Sequence, residues 1–414
     1  MSSNYPKLRL VQTQWIDSGG QPALLLQDRL AAGARAVVVP KLLAPMLALC
    51  DGTRDAAGIR ASLELWTGVR LDMATVEAAL AQLDNALLLD NERYDAAYRQ
   101  ALESYRGFPF RPPALAGGSY PADRAELAAL LDGYLASAYS GDGHYVPSRR
   151  LRGVICPHID YERGGKVYAR VWDRAREAVA GADLFIILGT DHSGGSAELT
   201  LTRQSFQTPF GVLRTDLDAV DAVAEAMGED AAFGAELNHT VEHSIELAAI
   251  WLHHLIGARD VRIVPVLCGS FHPFTEGHGR PADDERWAAA AAALRQIASR
   301  DRTLVIAAAD LAHVGPAFGD PNPIGVTEKA ALSAFDTEML AAVSRGDGEG
   351  FLDLLIREQD RYKVCGLPPI YLMMSILGEV SGEVVTYDQC PAPGESVVSV
   401  TGTLLYEGVT ASRG

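Results

Sequence analysis

The chain has 414 residues, with 36 Lys+Arg against 53 Asp+Glu and a formal charge of −17, a balance that argues against a nucleic-acid partner. Hydrophobic content of 48% and charged content of 21% exclude a disordered chain, and the apolar runs are too short for a membrane span. Five cysteines without a CxxC pair argue against a disulfide frame or a zinc ribbon. The start, MSSNYPKLRL, lacks a basic stretch followed by an apolar one, so a cytoplasmic protein is expected, and its length predicts two domains.

Residues 1–100 are nearly neutral, with 10 Lys+Arg and 11 Asp+Glu. A helix is predicted over 40–50, opening near Pro40, then the turn Asp51-Gly52-Thr53 and amphipathic helices near 55–66 and 74–86. LLLDNERY reads as a short strand pair or wing. Helix, turn, helix, helix and wing resemble a winged-helix module of the PqqD-like, peptide-binding kind, spanning 1–104. No basic face supports DNA binding there.

Residues 105–122, rich in Pro and Gly, read as a linker and the entry to a second domain over 111–414. DRAELAALLDGYLASAY has helical spacing, with Leu127, Leu130, Leu131 and Leu135 on one stripe. From 150 onward short apolar strands alternate with helices near 166–180, 216–227, 241–256 and 284–299. That alternation predicts an α/β fold, a mostly parallel or mixed sheet covered by helices on both faces. GEVVTYDQ and SVVSVTGTLLYEG should add an antiparallel edge.

Three of the buried strands end on related chemistry. VICP runs into His158, LFIILGT into Asp191-His192, and TLVIAAA into Asp310, with His313 three residues on. Ligands of open α/β sheets collect outside the carboxyl ends of the strands, so these histidines should converge on one rim. In HTVEHSIE, His239, His243 and Glu246 stand at i, i+4 and i+7. On one helical face they would form a wall beside the site. Cys365, in the bend VCGLPP before an apolar helix, would feel the positive end of the helix dipole, which favours the metal-binding thiolate. Cys156, Cys268 and Cys390 read as buried small hydrophobes. His253, His254, His272 and His278 read as surface or loop residues.

AGGSYPAD, CPHIDY, FIILGTDHS, NHTVEHSIE, RIVPVLCG, AAADLAHVG, VCGLPPI and SVVSVTGTLLY, in that order, resemble the Memo family, known in bacteria as the AmmeMemoRadiSam system protein B. The likeness covers about residues 111–407. It implies the fold of the class III extradiol dioxygenases and a site like their non-haem iron centre. By that resemblance His158, His192 and Cys365 are metal ligands, His313 faces the open metal position, and His243 is the histidine of the EHSIE motif. Ile159-Asp160, Ser193, Ala312 and Pro368 depart from the family's usual residues.

The resemblance implies a metal-dependent oxidoreductase, with one divalent ion, iron(II) before copper or zinc. The substrate would be a small, catechol-like or peptide-derived molecule. His313, oriented by Asp310, would serve as acid and base, with His243 opposite. Asp160 and Asp191 would fix the tautomers of the neighbouring ligands. Tyr161, Glu242, Glu246 and His239 would line or support the pocket. The alternatives are a metal- or peptide-binding protein working with radical SAM and AMMECR-type partners, and a zinc hydrolase.

Overall fold

A computed structural model of the chain describes residues 5–9, 11–28, 36–138, 149–193, 195 and 198–408. The chain divides into two compact units, Met1–Phe108 and Pro109–Gly414.

The first unit opens with three strands, β1 (Gln12–Asp17), β2 (Pro22–Gln27) and β3 (Val37–Pro40), paired antiparallel in that order. Four helices follow: α1 (Pro45–Leu49), α2 (Ala56–Thr67), α3 (Met73–Asn85) and α4 (Glu92–Gly107). Asp55, Asp72 and Asn91 cap the last three by accepting backbone N–H groups of the first turn. Leu26, Val39, Met46, Ile59, Leu63 and Leu83 close a separate core.

Two expectations fail in this unit. The helix predicted over 40–50 begins only at Pro45, because Val37–Pro40 is drawn into the sheet and Pro fits a helix only in its first turn. Among the described residues the wing predicted at LLLDNERY does not form. Leu87 turns the chain at φ 62, Leu89 makes a single bridge to Leu8, and Asn91 starts a 16-residue helix. The sheet of this unit precedes its helices.

The second unit carries α5 (Arg124–Ala138), β4 (Leu151–Cys156), α6 (Tyr161–Gly181), β5 (Leu184–Thr190), β6 (Leu199–Leu201), β7 (Phe206–Thr208) and β8 (Gly211–Thr215). Next come α7 (Leu217–Met227), α8 (Glu229–Phe233), a 3₁₀ turn (Glu236–Thr240), α9 (Ser244–Ile256), β9 (Arg262–Cys268), α10 (His272–Thr275) and α11 (Glu285–Ala298). The chain continues with β10 (Thr303–Ala308), β11 (Asp310–Val314), α12 (Val326–Ser344), α13 (Gly348–Arg357), α14 (Leu367–Leu377), β12 (Val380–Ala392) and β13 (Ser396–Glu407).

Strands β4, β10, β5, β9 and β8 lie side by side and parallel, so the predicted mixed α/β sheet forms. β13 joins antiparallel to β4 by one half and to β11 by the other, with β12 along its far side. Side chains alternate between two cores, as a period of two requires. Ile186 and Leu188 face α7, α11 and α14, whereas Phe185 and Ile187 face α5, α6 and α9. Each such buried aliphatic side chain contributes about 1.5–3 kcal/mol. Among the described residues no helix is long and apolar enough to cross a membrane.

The stretch read as a linker and domain entry is part of the second unit from Pro109 on. α4 runs through Gly107, and residues 109–122 belong to the second unit, with Arg111 and Tyr120 buried in it. HTVEHSIE is not one helix either. His239 sits in the 3₁₀ turn and α9 begins at Ser244, so His239, His243 and Glu246 share no common face.

Candidate functional site

The carboxyl ends of β4, β5 and β10 open into a cleft of about 670 Å³, lined among others by His158, His192, His243, Asp310, His313 and Cys365. Leu115, Ile159, Leu247, Phe318 and Val398 supply its apolar wall, and Asp160, Arg163 and Lys363 its polar rim.

His158 is almost fully buried. Its backbone N–H and that of Ile159 donate to Asp310 Oδ1, at 2.8 and 3.2 Å. Its Nδ1 lies 2.9 Å from the Ala308 carbonyl oxygen, which can only accept, so Nδ1 carries the proton and Nε2 keeps its lone pair. Burial, then His192 and His243, hold the imidazole well below its ordinary pKa, so it is neutral. Nε2 faces Cys365 Sγ at 3.2 Å.

His192 is set by Glu242, not by Asp191. Its backbone N–H and its Nδ1 both reach Glu242, at 2.9 and 3.0 Å, which again leaves Nε2 free. Burial lowers the pKa of this ring, but the Glu242 carboxylate outweighs it and the net shift is upward. Asp191 instead accepts from Asn238 Nδ2 and the Ser193 N–H. Glu242 also accepts the N–H groups of His243 and Ser244. Burial disfavours its charge, yet His192 and then the His243 side chain hold its pKa well below the carboxylate range.

His243 stacks on His192 with ring centroids 4.9 Å apart, and its edge-on distance to His158 is 5.5 Å. This close approach needs Gly189. A Cβ there would stand 2.4 Å from Ser244 Oγ, where α9 docks on the end of β5. Gly366 has a similar role, since its Cβ would lie 2.2 Å from the Asp310 carbonyl oxygen. Cys365 is therefore carried against β11 by a backbone contact that no side chain could share. The dipole argument for a thiolate does not hold here. Burial first, then Asp310, push the thiol well above its usual pKa.

His313 donates its backbone N–H to the Tyr362 carbonyl and packs its ring edge-on against Phe318. Burial lowers its pKa to about 4 against the opposing pull of Asp310. Asp310 makes no hydrogen bond to His313; it serves the backbone of His158 and Ile159.

Other candidates fall outside the cluster. Asp160 caps α6 and pairs with Arg163, making no bond to His158. Tyr161 is buried in the core and donates to the Leu247 carbonyl. His239 is buried, with Nε2 on the Thr200 carbonyl and a pKa lowered to about 3 by burial. His253, read as a surface residue, is buried and bonded to Thr208. Glu246 anchors the 111–120 segment, accepting from Arg111, from the N–H groups of Ala114 and Leu115, and from the Tyr120 hydroxyl.

Arg111 was not singled out from sequence, yet it organises the site's far wall. Fully buried, it donates to the His239 and Glu242 carbonyls and pairs with Glu246. Its only sequence signal is a lone arginine inside an otherwise apolar FPFRPP stretch.

Two groups of side chains could hold a metal among the described residues. In His158, His192 and Cys365 the ligand atoms lie within 4.8 Å of one another, and each imidazole engages an acceptor through Nδ1. The second group, His192, Glu242 and His243, requires a carboxylate already accepting from three backbone N–H groups and an imidazole. The donor chemistry therefore fits a metal in the first group and a supporting role for Glu242.

Residues 111–404 match the model of Memo-like proteins. A MEMO1 family protein of Aquifex aeolicus is 24% identical over 391 residues, covering 92% of this chain and 96% of that protein. One from Thermus thermophilus is 28% identical over 339 residues, covering 82% and 94%. One from Methanosarcina acetivorans is 28% identical over 278 residues, covering 67% and 89%. The first two span more than residues 109–414 alone can provide, so those likenesses reach into the N-terminal unit. The chain belongs to the Memo family.

Proposed function

We propose that the chain is a metal-dependent redox enzyme acting on a small molecule. The observation that supports this reading is the convergence of His158, His192 and Cys365, with both imidazoles oriented by acceptors at Nδ1. Those three residues would hold one divalent ion, iron(II) foremost, with copper and zinc the other matches to a nitrogen–sulfur donor set. Such an ion would supply redox chemistry and a meeting point for substrate and dioxygen.

The remaining steps fall to the chain's own residues. The Ala308 carbonyl and Glu242 hold the two imidazoles in orientation. Burial, then Asp310, keep the Cys365 thiol protonated, and a cation beside it would favour the thiolate. His313, neutral with a pKa lowered to about 4, accepts a proton from a substrate hydroxyl in the cleft. His243, whose Nδ1 lies 3.1 Å from Glu242 Oε1, orients the substrate from the opposite wall. Leu115, Leu247, Phe318 and Val398 exclude water from its apolar body, and a cleft of about 670 Å³ suits a small molecule.

Anaerobic purification followed by metal analysis tests this reading. Near-stoichiometric iron, lost in His158→Ala, His192→Ala and Cys365→Ala, supports it. Full retention in Cys365→Ala would remove the thiolate from the site, and a wild-type protein that takes up no metal would overturn the proposal. Stoichiometric zinc in place of iron would shift the reaction class to hydrolysis.

A further inference from the structure

A second cavity, of about 550 Å³, lies at the opposite end of the sheet. It opens between the starts of β4 and β10, the end of β13 and the last two turns of α6. Four arginines line it, Arg149, Arg150, Arg174 and Arg302, against two exposed carboxylates, Glu177 and Asp301, in a chain whose formal charge is −17.

Two of these guanidinium groups are already engaged, Arg174 with Glu383 at 2.9 Å and Arg302 with Asp183 at 2.7 Å. The other two are not neutralised in the same way. Arg149 donates to the Ser381 hydroxyl and has no carboxylate partner among the described residues. Arg150 reaches Asp301 at 3.7 Å, and that carboxylate is 97% exposed, where an ion pair contributes little. The uncompensated charge is felt nearby: burial and then Arg150 lower the pKa of the neighbouring Arg152.

The end of α6 would ordinarily repel an anion. Here Arg259 covers it, donating to the Val179 and Ala182 carbonyls at 2.9 and 2.6 Å. Thr303, a lining residue only 3% exposed, keeps its hydroxyl without a hydrogen-bond partner. Leu151, Ala178, Leu304 and Tyr406 add apolar surface beside the arginines.

We infer that this cavity binds a phosphate monoester, its phosphoryl group taken by Arg149 and Arg150 and its carbon body by the apolar lining. Planar guanidinium groups match phosphate oxygens in geometry as well as charge. The site is independent of the histidine cleft, which lies at the other ends of β4 and β10.

Calorimetric titration of the full chain with inorganic phosphate and with phenyl phosphate tests it. Both should bind the wild type, phenyl phosphate more tightly. The variant Arg149→Gln/Arg150→Gln should bind phenyl phosphate at least about tenfold more weakly. Both positions are solvent-exposed, so the fold should persist, and an unchanged melting transition without ligand checks this. The charge-matched control Arg286→Gln/Arg357→Gln, on exposed faces elsewhere, should bind as the wild type does. Binding of inorganic phosphate alone overturns the ester class. Equal weakening in the control overturns the site, as does loss of binding in His158→Ala.

Discussion

Replacing Arg111 by methionine should destabilise the second unit by about 3 kcal/mol, the lower end of the range for breaking a buried ion pair. Arg111 and Glu246 have side chains 0% and 1% exposed. Removing the guanidinium leaves a buried carboxylate and takes donors from the His239 and Glu242 carbonyls. Each lost carbonyl bond contributes about 1 kcal/mol. The value stays at the lower end because the Ala114 and Leu115 N–H groups and the Tyr120 hydroxyl still solvate Glu246. Urea unfolding of a chain with Trp15 and Trp66 replaced by Phe, followed by the fluorescence of Trp172, Trp251 and Trp287, reads the transition of residues 109–414. Combining Arg111→Met with Glu246→Gln should cost less than the sum of the single changes, because no uncompensated charge remains. A single-variant cost below about 1 kcal/mol, the range of exposed pairs, would refute the reasoning.

Three further outcomes are expected. Glu242→Gln should weaken metal binding about 10–100-fold by loosening His192, measured by competition with a chelator; unchanged affinity would show that Glu242 does not set the ligand. Asp336, fully buried, has a pKa raised to about 6 by burial, despite accepting from the Tyr387 hydroxyl. Its contribution to stability is greatest below its unfolded pKa and is lost as pH rises through about 6, so Asp336→Asn should gain up to about 3 kcal/mol at pH 7.5 and nothing near pH 4; a pH-independent difference in urea midpoint would contradict the assignment. A chain beginning at Pro109 should fold and keep the metal content of the full chain, because each unit has its own core; collapse of metal content would contradict that division.

The strand-end histidines were legible because their context is local. A buried apolar run ending on His158 or on Asp191-His192 announces both the strand and its rim. Other placements were not. Asp160 and Asp191 stand beside ligands in sequence, and adjacency suggested that they orient them. A turn after a strand points successive side chains in different directions, so the orienting groups are Ala308, from the neighbouring strand, and Glu242, some fifty positions away. Glu246 and His239 were drawn to the pocket by a helical spacing that the break at Val241–His243 does not allow.

The sequence by itself determined the alternation of strand and helix, the family, and the residue types gathered at the strand ends, because periodicity and motif order are properties of the chain. Only the tertiary structure decided which nitrogen of each histidine stays free and which thiol faces it. It also decided that a segment resembling a linker buries an arginine beneath the site. These depend on distances between residues far apart in the chain, and on burial, which shifts proton affinities and makes an unpaired polar group costly.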